Sequence, residues 1–570
     1  MNSSTPSAAL IECVPNISEG RRPEVIQAIA AVVETVEGVR LLDVDPGKAT
    51  NRTVITFAGA PEPVIEAAFR LIQKAAELID MSTHQGEHPR MGATDVCPLV
   101  PVSGITLEEC AVWAHKLGER VGRELGIPGY YYESAAKHPS RRNLADCRSG
   151  EYEGLAAKFA KPEGQPDFGS TTDARWKQTG ATAIGARDFL IAFNVNLNTT
   201  STRRANAVAF DIREKGRMLR EGDTLTGKPL LDAQGEPVFE PGKLKAVKGI
   251  GWFIEEFGCA QVSYNLTDPQ QTPLHVLFDE TVRSAQERGM RVTGSELVGL
   301  VPLNAMLEAG RHYCHLQQRS SGLPEAELIR IAALSMGLGE LKPFVPEERI
   351  VEYKLGLRQP GRLVSMNLIG FADETASESP APGGGSIAAY AGALGASLGA
   401  MVANLSAHKR GWDDRWAEFS EVAEQLMKLQ ARLLQAVDED TAAFNAIMEA
   451  FGLSKNSPEE AALRKEAIRA ATRRAIEVPM EVVALCAEAA PWVERMAMEG
   501  NPNSVTDAAV GMLCLRTAAR GAALNAQVNA KGFDDTPWVA EVQTRIDAVL
   551  DALHQAENRV MARCAHIIKS

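Results

Sequence analysis

The chain has 570 residues. Its 73 acidic against 60 basic side chains leave a net charge of −13, which excludes a non-specific nucleic-acid binder while allowing a local basic pocket for a small anion. A hydrophobic share of 45% and a charged share of 23% are ordinary for globular protein, and the length suits about three or four domains. Nine cysteines are dispersed without a Cys-x-x-Cys pair, which reads as reduced thiols in a cytoplasmic compartment. Met1 to Ser7 has neither a basic region nor an apolar core, so the expectation there is a short disordered lead-in and no signal peptide.

From Ala8 to Ala183 short β-rich runs alternate with helical periodicity. Ile11 to Pro15 reads as a strand, Pro23 to Val36 as a helix, Val39 to Val44 and Thr53 to Ala58 as strands, and Pro63 to Leu78 as a helix. A strand ending near Val102, a helix over Leu107 to Leu125 and a strand from Tyr130 follow. Short connections between alternating elements predict a sheet covered by helices. Asp43 and Asp45 then fall at a strand end, facing either a cleft or a plain surface turn.

Within this region Thr83 to Leu99 concentrates reactive groups. His84 and His88 stand four apart with Glu87 beside the second, the H-x-x-E-H pattern of a zinc-binding helix. Gly86 costs about 1 kcal/mol inside a helix, and Pro89 disfavours helical backbone at His88. The expected conformation is therefore a loop, where backbone approaches a small ligand and an imidazole of pKa about 6.5 takes and returns a proton. A histidine held by Glu87 or by backbone is the plain alternative. Asp167 to Gly180 is small, polar and flexible around Trp176, which beside Arg175 and Lys177 either stacks on a flat ring or packs as part of a domain linker.

A second unit opens with Phe189 to Asn196, a strand with polar Asn194 and Asn196 at its end. Helix Thr202 to Lys215, strand Ala260 to Leu266, helix Leu274 to Arg288, strand Arg291 to Leu300 and helix Asn304 to His312 complete a small α/β domain facing the first across a cleft. Arg217 to Gly242 reads as a hairpin loop. Lys243, Lys245 and Lys248 form either a basic path or a solvated edge.

Beyond Tyr353 the chain is almost wholly helical. Pro382-Gly-Gly-Gly-Ser386 opens a helix to about His408, and the N–H groups around Gly383, Gly384, Gly385 and Ser386 suit an anion or a ring carbonyl. Ala391, Gly395 and Gly399 give that helix a face with almost no side chain. Its longest apolar run, Ile387 to Val402, is too short and too rich in Gly and Ala for a membrane span and reads as a buried helix. The next helix, Asp413 to Phe451, is expected to bury Phe419, Val422, Leu426, Leu429, Leu433, Val437, Phe444, Ile447 and Phe451, with Asp440 on the same stripe. A carboxylate there is costly unless hydrogen-bonded, and it is either functional or a structural cap. Helices over Pro458 to Met498, Val505 to Asn529 and Pro537 to Ile568 follow. The predicted architecture is multi-domain: two α/β subdomains, sheet covered by helices, at 1–183 and 184–354, a linker at 355–362, and an all-α helical bundle at 363–570.

Three segments, Glu12 to Gly20, Asn51 to Val54 and His84 to Pro98, resemble glutamate formimidoyltransferase, and the helical half around Val437-Asp-Glu-Asp440-Thr-Ala-Ala-Phe444 is similar to formimidoyltetrahydrofolate cyclodeaminase. Together they resemble, in order and over nearly the whole chain, the bifunctional formimidoyltransferase-cyclodeaminase family of histidine breakdown. The resemblance implies transfer of a formimidoyl group from N-formimidoyl-L-glutamate to tetrahydrofolate, with His88 as acid/base and Asp45, Asn51 and Arg52 at the substrate site. It then implies cyclodeamination of 5-formimidoyltetrahydrofolate to 5,10-methenyltetrahydrofolate and ammonia, with Asp440 moving the proton. Its folate loop corresponds to Gly169, Ser170, Thr171, Thr172, Arg175, Trp176, Lys177, Gln178, Thr179 and Gly180, in a version two residues longer here. It further implies polyglutamylated tetrahydrofolate as co-substrate, no metal, cytoplasmic location, homo-oligomers with paired cyclodeaminase domains, and neither nucleic-acid nor membrane partners. The alternatives are a helical half acting as a methenyltetrahydrofolate cyclohydrolase, or as a folate-binding or assembly module. Ser504, Asp507, Asn525 and Asn529 are similar to polar positions of the family, with no role implied.

Overall fold

A computed structural model describes residues 9–48, 50–86, 89–172, 174–222, 227–255 and 257–569. The lead-in Met1 to Ser7, and Glu87 and His88, lie outside the described residues. Contacts divide the chain into one unit of Met1–Ala305 with Met336–Arg358 and another of Met306–Ser335 with Gln359–Ser570.

The first unit holds both sheets. Strands β1 (Leu10–Cys13), β2 (Asn16–Ile17), β3 (Val39–Gly47), β4 (Arg52–Gly59), β5 (Thr94–Ser103), β6 (Gly129–Glu133) and β7 (Thr182–Ala186) form a mixed sheet in the order β1-β4-β2-β5-β7-β6, with β3 on the free side of β4. Side chains alternate across a strand, so Ile11 and Cys13 enter the core while Glu12 between them faces the other way. Helices Pro23–Ala31, Pro61–Leu78 and Leu107–Arg120 cover the Ile11 face. The last is started by Thr106 and Glu109, each accepting from the other's backbone N–H.

The second sheet runs β11-β12-β8-β13, wholly antiparallel, from β8 (Ile191–Leu197), β11 (Val247–Ile254), β12 (Cys259–Leu266) and β13 (Val292–Val298). The hairpin β9 (Arg217–Met218) and β10 (Phe239–Glu240) stands apart from it, as expected for the Arg217 to Gly242 segment. Helices Thr202–Ile212 and Leu274–Glu287 cover the face of Phe193, Val195, Val262 and Tyr264. The opposite face carries two registered rows, Trp252, Gln261 and Asn196, then Ile250, Ser263, Asn194 and Glu296.

The helical unit is built from Leu368–Ala376, Gly384–Ala407, Trp416–Gly452, Pro458–Glu499, Val505–Ala530 and Thr536–Lys569. The Gly384 helix packs against the Trp416, Pro458 and Val505 helices. Of the described helices it alone is long and apolar enough to cross a membrane, yet 61% of its apolar window is buried inside the bundle. Its small residues permit this, since Gly395 lies against Gly511 and Leu515, and Gly399 against Leu426 and Val493.

One expectation fails along the Trp416 helix. Phe419 through Val437 are buried as expected, but Phe444 is 38% and Phe451 52% exposed. The buried line follows a seven-residue repeat instead, Val422, Leu429, Ala436, Ala443 and Ala450. An α-helix turns every 3.6 residues, so the choice between neighbouring positions drifts along its length. Small Ala443 wins the inner place against Ala475 and Val478.

Two candidate active sites

The first site gathers where β3 turns into β4 beside the loop after Leu78. His84, Gln85 and Gly86 take no helical conformation. Both ring nitrogens of His84 are used, Nε2 at 3.0 Å from the Asn51 carbonyl and Nδ1 at 3.3 Å from Nε of Arg90. Arg90 has only N–H donors, so Nδ1 accepts and Nε2 donates, which is the neutral imidazole. Burial and then the Arg90 charge hold its pKa below the ordinary value, against the raising effect of the Asn51 carbonyl. His84 therefore has no lone pair left for a metal and works as a brace.

Asn51 sits at φ 48°, a left-handed conformation that Asn tolerates better than most residues. Its Oδ1 accepts from Gly20 N–H at 3.0 Å and its Nδ2 donates to the Gln85 carbonyl at 2.9 Å. A side chain on Gly86 would strike the Thr50 carbonyl, which explains the glycine inside the histidine motif. Arg52 donates to Asn16 Oδ1 at 3.0 Å and pairs with buried Asp95, which also holds Arg148 at 2.6 Å. Asn51 and the Nε and Nη1 of Arg52 thus brace the frame around the loop.

The loop after Asp167 reaches the same place at its far end. Met81 N–H donates to the Gln178 carbonyl at 2.8 Å and Ala93 N–H to the Thr179 carbonyl at 2.7 Å. Gly180, at φ 68°, lies on Met91 and Gly92. Gly169 sits against Ile127, Ser170 and Thr172 form an exposed hydroxyl pair at 2.8 Å, and Arg175 donates to the Leu125 carbonyl at 2.7 Å. Trp176 stands edge-on to Phe159, ring centres 5.3 Å apart, the packed alternative. Thr171 and Lys177 are not buried.

Charged groups from both sheets meet farther along. Asp45, exposed at the end of β3, feels Asp43, Arg349, Glu296 and Lys342. Desolvation of its carboxyl end and then Asp43 push its pKa up. Glu133 on β6 feels Lys248 on β11. Glu12 is 3% exposed, and burial pushes its carboxyl from 4.5 to about 7, opposed by Arg187 and reinforced by Glu352. On the second sheet Trp252 donates to Gln261 at 2.9 Å, Gln261 to Asn196 at 2.7 Å, and Asn194 to Glu296 at 3.1 Å.

The second site lies wholly within the helical bundle. Asp440 comes from the Trp416 helix and meets the first turn of the Gly384 helix. Ser386 donates its hydroxyl to Asp440 Oδ2 at 3.1 Å and its backbone N–H to the same carboxylate. A side chain on Gly385 would overlap the Asp440 carboxyl. Burial raises the Asp440 pKa, the two Ser386 bonds lower it, and burial prevails. Gly383, with extended backbone, caps the helix. Asp438 accepts from Leu363 N–H at 2.8 Å and from Val364 N–H at 3.3 Å, tying the incoming chain to this turn. Arg432 links Glu439 at 2.8 Å to Glu481 at 2.5 Å and so fixes the Trp416 helix on the Pro458 helix. The expected glycine-rich turn and the expected aspartate are one constellation, a carboxyl of raised pKa hydrogen-bonded at a helix N-terminus.

Family models for the formiminotransferase domain match residues 10–187 (N-terminal subdomain) and 192–356, and a formiminotransferase-cyclodeaminase model matches 367–548. The formimidoyltransferase-cyclodeaminase of Mus musculus is 42% identical over 543 residues, 95% of this chain and 96% of that one. The chain belongs to the formimidoyltransferase-cyclodeaminase family. The glutamate formimidoyltransferase of Streptococcus pyogenes is 39% identical over 54% of this chain and 95% of its own. The methenyltetrahydrofolate cyclohydrolase of Methylorubrum extorquens is 39% identical over 32% of this chain and 86% of its own.

Several groups in this family member carry no signal in the sequence strong enough to be singled out. Glu12 opens a motif that carries the resemblance, and its place between Ile11 and Cys13 marks by alternation a carboxyl on the open face of a buried strand. Gln261 and Glu296 become visible only through strand register.

Proposed function

We propose that this chain catalyses two consecutive folate reactions. It transfers the formimidoyl group of N-formimidoyl-L-glutamate to N5 of tetrahydrofolate, then cyclises 5-formimidoyltetrahydrofolate to 5,10-methenyltetrahydrofolate with loss of ammonia. In the first step a proton leaves N5 and the glutamate nitrogen departs protonated, work for a histidine titrating near neutrality. His84 has both nitrogens engaged, and the resemblance gives that work to His88. Asp45 and residues of the loop at Gly169 to Gly180 are assigned to substrate and folate binding on the resemblance.

The observation that carries the second reaction is the Asp440 carboxyl held by Ser386 at the head of the Gly384 helix. A carboxyl of raised pKa accepts the N10 proton and returns it to the departing nitrogen. A cyclohydrolase in the helical half would release formyl-folate in place of ammonia. Tetrahydrofolate serves as co-substrate, polyglutamylated in the cell, and neither proton transfer calls for a metal. Histidine breakdown in the cytoplasm is the setting that fits.

A homo-oligomer with paired helical units is supported by an uncovered apolar face. Ile387, Leu394, Met401 and Leu405 repeat every seven or four residues on the Gly384 helix, with Val510, Leu513, Leu524 and Val528 exposed on its neighbour.

The test supplies the whole protein with tetrahydrofolate and N-formimidoyl-glutamate while following ammonia and methenyl-folate absorbance. Wild type is expected to make both, His88→Ala neither, and Asp440→Asn to stall at 5-formimidoyltetrahydrofolate with ammonia release reduced on the order of 10³-fold. Full ammonia release by Asp440→Asn would overturn the assignment.

A further inference from the structure

Two glycines open the Gly384–Ala407 helix, and each makes room for a different side chain. A Cβ on Gly385 would overlap Asp440, whereas one on Gly384 would lie 3.2 Å from Nδ2 and 3.7 Å from Oδ1 of Asn525. Asp440 and Asn525 thus approach consecutive residues of one turn from two different helices, and consecutive Cα atoms are about 3.8 Å apart. Hydrogen bonding fixes which way the carboxamide points. Asn525 lies 2.8 Å from the Gly521 carbonyl, which can only accept, so the nitrogen must be on that side. Oδ1 then has no hydrogen-bond partner among the described residues, and Asn525 is half-buried.

We infer that Asn525 touches the departing nitrogen of the substrate, its Oδ1 accepting an N–H of the formimidoyl group, and that this contact makes the helical site choose formimidoyl-folate over formyl-folate. The inference rests on the cyclodeaminase reading of Asp440. A protonated formimidoyl group on N5 presents an NH2 with two donors, whereas a formyl group presents at the same place an oxygen that only accepts. Facing a carbonyl locked by Gly521, the formyl oxygen would set lone pair against lone pair. A site built around one hydrogen bond rejects the analogue that cannot make it far more strongly than an apolar pocket does.

The step balances without a further reactant. The N10–carbon bond forms and the bond from that carbon to the departing nitrogen breaks. The N10 proton passes through Asp440 to the NH2, which leaves as ammonia, and the positive charge stays on the methenyl bridge. Asn525 moves no proton. It accepts from the leaving nitrogen and orients it toward Asp440.

The test supplies preformed 5-formimidoyltetrahydrofolate to the full chain and measures kcat/KM for ammonia release, with 5-formyltetrahydrofolate as inhibitor of that same step. Asn525→Leu keeps the shape and removes the acceptor; Asn525→Asp keeps an acceptor. The leucine variant is expected to lose about 10²-fold in kcat/KM while binding the formyl compound at least as tightly as wild type. The aspartate variant is expected to hold the ratio of the two within about threefold of wild type. Formimidoyl transfer in the same samples reports folding. Equal losses for both ligands in the leucine variant would mean a structural role and would overturn the inference, as would loss of preference in the aspartate variant or an unchanged kcat/KM in the leucine variant. If wild type itself releases no ammonia, the reading of Asp440 falls; if it does and the leucine variant keeps its preference, only Asn525 falls.

Discussion

The two sites hold their reactive groups by opposite means. In the α/β unit a loop is braced side chain by side chain, His84 on Asn51, Asn51 on Gly20 and Gln85, and Arg90 on His84 and Glu153. In the helical unit Asp440 rides on a 37-residue helix whose backbone satisfies itself, and its place depends on how closely that helix meets the Gly384 helix. A loop site is a sum of braces worth about 1 kcal/mol each, so it degrades piecemeal. A site between two helices depends on clearance, so one methyl group in the gap can spoil it.

The largest effect that would sharpen this contrast is therefore Gly385→Ala. The new methyl displaces the Asp440 carboxyl, and ammonia release should fall on the order of 10²-fold while formimidoyl transfer stays near wild type. Unchanged ammonia release would mean that the helices part freely and the contrast is false.

Next in size is Glu12. Its folded pKa, about 7, lies above the ordinary 4.5, so its contribution to stability is fully present below about pH 4.5 and is lost as pH rises through about 7. A shift of that size corresponds to roughly 3 kcal/mol. Glu12→Gln should be more stable than wild type by up to about 3 kcal/mol at pH 8 and equal to it at pH 4, read from urea unfolding at each pH. Equal stability at pH 8 would show that the Glu12 carboxyl is already ionised with little penalty.

Asn51→Ala removes two braces at once and leaves the Gly20 N–H and the Gln85 carbonyl unpaired. We expect a loss of about 1–2 kcal/mol, with transfer weakened about tenfold. Ammonia release from supplied 5-formimidoyltetrahydrofolate should not change, and a parallel loss there would undo the separation of the two sites. The smallest effect belongs to Phe444→Ala. A fully buried phenylalanine costs about 3–5 kcal/mol to truncate, but this half-exposed one should cost under about 1 kcal/mol by thermal unfolding.

Periodicity made the long helices of the bundle legible to within a few residues, because long helices repeat their signal many times, while the short Leu368–Ala376 helix was not expected. The Trp416–Gly452 and Pro458–Glu499 helices lie within three residues of their expected ends. The drift that turns Phe444 outward was not legible, since it depends on which neighbour takes the inner place. The candidate aspartate and the glycine-rich turn were each visible, but their meeting across 54 residues of sequence was not. In the α/β unit most of the alternation was plain, but the strand Val247–Ile254 was not expected, and the row joining Trp252, Gln261 and Asn196 needs strand register, which no single strand encodes. Asn51 and Arg52 stood out by resemblance, while the bonds by which they brace the frame show only in three dimensions.

The segment Met306–Ser335 leaves the first unit, folds with the helical one, and returns before Gln359 crosses for good. It is fastened there by Asn404, donating to the Gly322 carbonyl at 2.8 Å, and by Ser321 N–H, donating to Ser420 Oγ at 3.0 Å, with Gly322 too close to Ala423 to carry a side chain. The backbone therefore passes between the units three times, and the stretch at 355–362 is only one of the passages. A protease that nicks this stretch would yield two bands on a denaturing gel but a single species in solution. A gene trimmed to begin at residue 359 would encode helices deprived of their own clasp.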